Sequence, residues 1–467
     1  MASCVKNIGT TQFIISKRNH RFIRAIRTGL KTVFQNSLMI SIQFLKDQYK
    51  SPALKTMGIY TITNFFGKGL SFLLLPLFTN PKYLTAADNG LLSLFGQAII
   101  FVLPFINLGV MQSASVDYFK LDKKNFKDFC TTGFAMAITM ALISGMTFFM
   151  GRDFLAKRFS FPAIFIWAIP LAAFLNFCYE FVILLIRNRD DAPRYMKVNI
   201  TKILMELGLA VLLIIYFSWG WLGRVSGMLV SAALVAMYAL YFLLKNGYLS
   251  GSVRKQIIIA ELKYSVPIIT MQLSMFCLFS SDSFLLAGIT KNTAEVGIYG
   301  MACVFGSIII TLSGAIIQYM VPKINKALSA EKTDYAEIQK QAKIYFSIMA
   351  FTFVALLLCV PVIYHIFINS TYWPGIRYFF FLSTGYFFWT IAVFMYTFLL
   401  YHKQKMKLFL QALSIIAISL ASNYLFINAM GSMGAAISVC CSYGTVMLLA
   451  FIATKRYWKL LLHSAKV

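Results

Sequence analysis

A hydrophobic segment of bilayer length recurs about a dozen times between Met57 and Thr454, and positive charge gathers in every second gap. About 20 apolar residues span the roughly 30 Å hydrocarbon core. Backbone in lipid must satisfy its own hydrogen bonds, so the expected fold is an all-α polytopic membrane protein. Its function then concerns something crossing, entering or leaving a membrane.

The spans expected from hydropathy are Met57–Thr79, Gly90–Val110, Thr131–Met150, Phe161–Ile186, Ile203–Trp219, Leu222–Leu244, Ser265–Ile289, Ile298–Met320, Ile344–Ile368, Phe379–Tyr401, Leu408–Ile427 and Met433–Ala453. Twelve spans return the chain to the side it started from. With the N-terminus inside, 35 Lys and Arg fall on the inner side and seven on the outer, leaving Lys68 within the first span. The positive-inside rule therefore places both termini in the cytoplasm. The outer loops are too short for a folded external domain.

Composition narrows the function classes. With 59% hydrophobic residues, 13% charged residues and mean hydropathy +0.73, the chain does not have a water-soluble surface. The net charge of +27 is spread between spans and not gathered into the stripe that tracks phosphates, so nucleic acid is not an expected partner. Cys178, Cys277, Cys303, Cys359, Cys440 and Cys441 lie inside apolar spans as small hydrophobes. The four histidines are scattered without ligand spacing. No metal or cofactor is implied, and no GxxxxGK[ST] loop points to an ATPase.

Residues 1–56 form a separate N-terminal extension. Lys17, Arg18, Arg21, Arg24, Arg27 and Lys31 interleave with Phe22, Ile23, Ile26 and Leu30 at helical spacing. This predicts a basic amphipathic helix lying on anionic lipids of the inner leaflet; an extension left by an upstream start codon is the plainer alternative. A cleavable signal peptide fits poorly, because Leu38–Leu45 is short, late and followed by Lys46 and Asp47.

The pattern restarts after six spans. Leu54-Lys55 has a counterpart in Leu262-Lys263, and Asp88-Asn89-Gly90 in Glu295-Val296-Gly297. Gly220-Trp221-Leu222-Gly223 matches Gly431-Ser432-Met433-Gly434, with Ser231 and Ser442 eight residues further on. Offsets of 208, 207 and 211 residues predict two six-helix halves, 57–250 and 251–467. Six is even, so the repeats are parallel, related by an axis along the membrane normal, around a central cavity. Two such bundles can rock to give alternating access.

Gly67-Lys-Gly-Leu-Ser-Phe-Leu-Leu-Leu-Pro-Leu-Phe-Thr79, then Asp88-Asn-Gly90 and Leu108-Gly109, resemble the N-terminal signature of O-antigen and capsule-type polysaccharide-biosynthesis flippases. These belong to the multidrug/oligosaccharidyl-lipid/polysaccharide exporter superfamily. The resemblance covers about Lys55 to Arg456, including Gly220 to Gly227 and Ser281-Asp282. The family usually carries Glu-Tyr-Gly where Asp88-Asn89-Gly90 stands, and the long basic N-terminus is not typical of it. The resemblance implies a bacterial inner-membrane protein that translocates undecaprenyl-diphosphate-linked oligosaccharide for surface polysaccharide synthesis. A polysaccharide polymerase and glycosyltransferases would be its partners.

Charges inside spans cost several kcal/mol unless compensated, so each is a functional candidate. Lys68, Asp282, Glu180, Arg224 and Arg187 are candidates for the substrate path, and Asp282 and Glu206 for ion coupling. Lys68 either meets the diphosphate, pairs with Asp282 across the halves, or snorkels to the interface. Asp282 alternatively makes a structural interhelical hydrogen bond. Glu206 stands one turn after Lys202, which favours a local i, i+4 pair. Glu180 either faces the interior or pairs with Arg187. Arg224, and Arg187 with Arg189 and Arg194, also satisfy the plainer interfacial and positive-inside readings.

Two rivals remain. A drug or cation antiporter of the same superfamily would need an acidic, aromatic cavity, against which the cationic bias argues. A glycan polymerase or ligase would need a larger outer loop, so an enzyme is not expected.

Overall fold

The computed structural model describes residues 52–329, 334–402, 404–455 and 457. The N-terminal segment read as an amphipathic helix lies outside them. Among the described residues the helices are α1 Pro52–Leu73, α2 Leu75–Phe78, α3 Ala86–Asn107, α4 Val110–Lys120, α5 Lys123–Met150, α6 Arg152–Phe159, α7 Ala163–Asn188, α8 Ala192–Ile215, α9 Gly220–Lys245, α10 Lys255–Phe279, α11 Ser281–Thr290, α12 Thr293–Gly306, α13 Ile308–Ser329, α14 Tyr335–Phe367, α15 Gly375–Tyr401 and α16 Lys405–Ala453. No strand occurs among them.

Ten helical stretches are long and apolar enough to cross a membrane, with α12 and α13 joined as one. The 49 residues of α16 would make a rod of about 75 Å, more than twice a bilayer core. At Gly431 the backbone turns to φ 57 and ψ −132, so α16 is two crossing helices. Together with α1, which is 22 residues long but diluted by Lys68 and three threonines, the count reaches the expected twelve.

Compactness divides the chain after Phe65. In the first unit the described part is the start of α1, where Thr63 Oγ1 donates back to Ile59 O at 2.7 Å, giving the hydroxyl a partner within its own helix. All further contacts lie in the second unit, 66–467.

Within that unit α7 is buried along most of its length against α3, α5 and α9, and α8 pairs with α9. Glycine allows that pair to close up: a Cβ on Gly227 would stand 2.9 Å from Ala210 N. In the second half α15 lies along α16, which also covers α10 and α11. The segment between α9 and α10 contains the expected boundary at residue 250.

The repeat has a direct structural expression. Gly220 and Gly431 both adopt left-handed φ, 53° and 57°, where their chains turn into a new helix, a conformation that suits glycine because it lacks Cβ. The halves meet most closely through α3 and α12, whose first turns carry the matching Asp-Asn-Gly and Glu-Val-Gly signals. A Cβ on Gly90 would lie 1.8 Å from Thr293 O, and one on Gly297 would lie 2.0 Å from Ala86 O. The two repeat-related glycines thus pack each helix backbone onto the other. This contact marks the distal end of the second unit; the proximal end carries Asn107 and Lys123.

Several elements depart from uniform spans. The seventh is broken at Ser280, φ −141 and ψ −17, into α10 and α11. The eighth is divided at Ser307 into α12 and α13. Between spans, the chain forms two short helices that hydropathy did not indicate, α4 and α6.

Candidate functional site

Ion pairs among the described residues join Arg152 to Asp153, Arg194 to Asp191, Arg254 to Asp128 and Lys340 to Glu337, all near helix ends. None of the charges deeper in the spans is neutralised by such a pair. They are held in three other ways.

The first is cross-half hydrogen bonding. Lys68 Nζ, on exposed α1, donates to Thr311 Oγ1 of α13 at 2.5 Å. Its partner is a hydroxyl of the other half, and the pairing with Asp282 raised from sequence does not form. Gln97 of α3 similarly reaches Ser283 Oγ of α11 at 3.2 Å.

The second is an alternating row in the first half. Arg224 of α9 stacks its guanidinium 4.5 Å from the Phe78 ring centroid and lies in the field of Glu206. Its Nη1 is buried with no hydrogen-bond partner. Lys202 sits between the fields of Glu206 and Glu180, and Glu180 between those of Lys202 and Arg187. The order is therefore cation, anion, cation, anion, cation across α9, α8 and α7.

Lys202 does not close the expected i, i+4 pair with Glu206. Its Nζ lies 3.9 Å from the Tyr179 ring centroid and 3.5 Å from Asn176 Oδ1 on α7. The ring is fixed there because Tyr179 OH donates to buried Asn199 Oδ1 at 2.5 Å. A cation over an aromatic face gains roughly 0.5–2 kcal/mol, which competes well with the few tenths of an exposed helical ion pair.

The arginines of the α7–α8 turn separate into different jobs. Arg189 donates to Tyr248 OH and Asn246 Oδ1, each at 3.0 Å, and Arg194 pairs with Asp191 at 3.3 Å. The Arg187 side chain is exposed and makes no ion pair among the described residues.

The third is burial within the second half. Asp282, 3% exposed, opens α11 just past the break at Ser280. Tyr299 OH donates to Oδ2 at 2.5 Å and Ser283 N to Oδ1 at 2.7 Å. Beside it Asn423 Nδ2 donates to Ser281 Oγ at 3.0 Å, and Ser438 Oγ donates to Asn423 Oδ1 at 2.7 Å. Asp282 therefore joins α11 to α12 and, through Ser283, reaches Gln97 of α3, beside a second polar cluster that ties α11 to both arms of α16.

A family model described as polysaccharide biosynthesis protein matches residues 53–326. The chain belongs to this family. Comparison with curated proteins finds no match. Among solved structures, lipid II flippase MurJ in an inward closed conformation aligns with TM-score 0.68 at 14% identity, over 85% of this chain and 87% of that one. An inward-facing multidrug resistance MATE family transporter of the MOP superfamily aligns with TM-score 0.64 at 15% identity, over 84% and 99%. A MOP superfamily transporter from Pyrococcus furiosus gives 0.54 at 16%, over 88% and 94%. The polysaccharide biosynthesis protein thus has the fold of MOP-superfamily transporters and flippases.

Sequence reasoning passed over several residues of this family member that the fold brings into play. Lys202 was read only as a partner for Glu206, and Thr311, Tyr299, Asn423 and Gln97 were not singled out. Amides inside apolar spans, such as Asn423 and Gln97, were the available signal, since they need hydrogen-bond partners there as charges do.

Proposed function

We propose that this chain is a flippase that carries an undecaprenyl-diphosphate-linked oligosaccharide across a bacterial cytoplasmic membrane, by alternating access of its two halves and with both termini in the cytoplasm. The observation that carries this reading is the row from Arg224 to Arg187 with Lys68, whose charges are left without direct ion pairs on otherwise apolar spans. A buried guanidinium nitrogen without a partner is costly to retain, and a diphosphate oxygen would satisfy it in a charge-assisted bond. The polyprenyl tail stays in the bilayer while the polar head follows the charged row. No step requires covalent chemistry.

In this reading Arg224 and Lys68 contact the diphosphate, and Arg187 meets it first at the proximal end. Glu180 and Glu206 space the cations so that the anion is not held too tightly. Asp282 with Tyr299 is the candidate for coupling to an ion, with Glu206 the second. The MATE-like fold keeps a cation antiporter as the rival reading, and it would draw on the same carboxylates.

The test is deletion in the native host with reintroduction of wild type, Arg224→Ala or Lys68→Ala at matched membrane abundance. Loss of surface polysaccharide with accumulation of lipid-linked oligosaccharide, restored by wild type and not by the variants, is the expected result. Normal surface glycan and lipid-linked pools with altered drug sensitivity would replace the flippase with the antiporter.

A further inference from the structure

At the proximal end, away from the row of interior charges, the segment joining the two halves is strapped onto the start of α5. Gly251 N donates to Thr131 Oγ1 at 3.2 Å, Ser252 N to Asp128 Oδ1 at 2.7 Å, and Arg254 N to Thr132 Oγ1 at 3.0 Å. Gly251 fits only because it lacks a Cβ, which would stand 2.4 Å from Asp128 N. Strap and helix together border a surface pocket of about 410 Å³ that includes Lys123, Lys124, Lys127 and Arg254 in its lining.

The carboxylate in that pocket is already spoken for. Asp128, buried to 5% exposure, accepts from Ser252 N with one oxygen. Its other oxygen accepts from Arg254 Nε and lies 2.9 Å from Arg254 Nη2. One of the four cations is thereby neutralised and the three lysines are not. Counting Asp122, the residue before α5, still leaves two positive charges in excess. Asp122 stands at the N-cap position but makes no capping bond, so the first N–H groups of the 28-residue α5 have no side-chain acceptor. Orphan amides and the helix dipole both favour an anion at such an end. The positive-inside rule accounts for lysines near an interface; it does not account for their convergence on a concave, polar pocket bordered by a hydrogen-bonded strap.

We propose that this pocket is a binding site for a phosphate-bearing anion, independent of the transport path. Lys123, Lys124 and Lys127 donate to the phosphate oxygens, and Arg254 orders the strap by bonding to Asp128. The chemistry is common to an anionic phospholipid headgroup and to a soluble phosphorylated molecule. An occupied site would bind the inter-half segment more tightly to α5.

The probes are sodium pyrophosphate, titrated calorimetrically against the full chain in neutral phosphatidylcholine nanodiscs, and phosphatidylglycerol, followed as bound adducts by native mass spectrometry. Wild type is expected to bind at least one of them, and Lys124→Gln/Lys127→Gln to weaken that binding about tenfold or more, as loss of two charge-assisted contacts predicts. Lys340→Gln/Lys343→Gln removes the same charge elsewhere and should bind as wild type does. Pyrophosphate binding alone identifies a soluble ligand, and phosphatidylglycerol retention alone a lipid headgroup; either supports the site. Absence of both, or equal weakening by the two double variants, overturns it.

Discussion

The two halves share a repeat yet hold their deepest charges differently. In the first half Arg224, Glu206, Lys202 and Glu180 act on one another through space, without a direct ion pair, and a guanidinium nitrogen is left unsatisfied. In the second, the buried carboxylate is bonded directly, by Tyr299 OH and Ser283 N on Asp282, while buried hydroxyls elsewhere in that half, such as Tyr364 OH and Tyr443 OH, have no hydrogen-bond partner among the described residues. Satisfied networks rigidify a packed interior. Unsatisfied charge keeps its affinity for a partner from outside. The contrast places the unpaired buried guanidinium nitrogen in one half and the bonded buried carboxylate in the other.

The strongest challenge comes where the halves are alike. Gly90→Ala and Gly297→Ala should each abolish transport at matched abundance, because the new Cβ meets backbone 1.8 or 2.0 Å away and not a side chain that can swing aside. Equal and severe losses in surface glycan would show that both repeats depend on one contact. If either variant transports normally, the α3–α12 crossing is not needed for the cycle.

A smaller effect separates the halves. Asp282→Ala strands Tyr299 OH and Ser283 N in a buried site, which should lower unfolding stability by about 1–3 kcal/mol; Asp282→Asn, which keeps an acceptor, should lower it less. Denaturation in detergent micelles measures this. Arg224→Ala loses a cation–aromatic contact of roughly 0.5–2 kcal/mol and removes an unpaired buried nitrogen costing about 1–3 kcal/mol, so it should not lower stability, while reducing transport about tenfold, the size of one charge-assisted bond of roughly 1.5 kcal/mol. Stability losses of equal size for Asp282→Ala and Arg224→Ala would erase the contrast.

The smallest expected effect tests the spacing of the row. Glu180→Gln removes one of the two carboxylate fields acting on Lys202 without emptying a packed site. Transport should change about two- to threefold, with unfolding stability unmoved, since surface-accessible charges contribute roughly 0–1 kcal/mol. A loss as large as that for Arg224→Ala would make Glu180 a direct participant.

The spans and the repeat were legible because they depend on hydropathy and on glycine, signals that a single chain carries in order. Gly90 with Gly297 and Gly220 with Gly431 were matched from spacing alone, and the fold gives each pair a common geometry. The candidate site was legible as a set of residues and illegible as a set of partners. Sequence fixes depth along a span but not the direction a side chain faces, which is why Lys68 was offered Asp282 when Thr311 is its neighbour. The i, i+4 rule treats a helix as isolated, and so it overlooked Tyr179 on the adjacent helix as the platform for Lys202. The breaks at Ser280 and Ser307 carry no proline, and the polar run Ser280–Ser283 at the first is too short to end an apolar span.

The mutual contact of Gly90 and Gly297 also constrains heredity. Each glycine's missing side chain is accommodated by peptide backbone, Thr293 O in one case and Ala86 O in the other, and every amino acid supplies the same backbone. A lineage that loses either glycine therefore has no second residue to trim in compensation. A selection for suppressors of Gly90→Ala should return true revertants, or distant changes that reposition whole helices, and never a restoring substitution at Gly297.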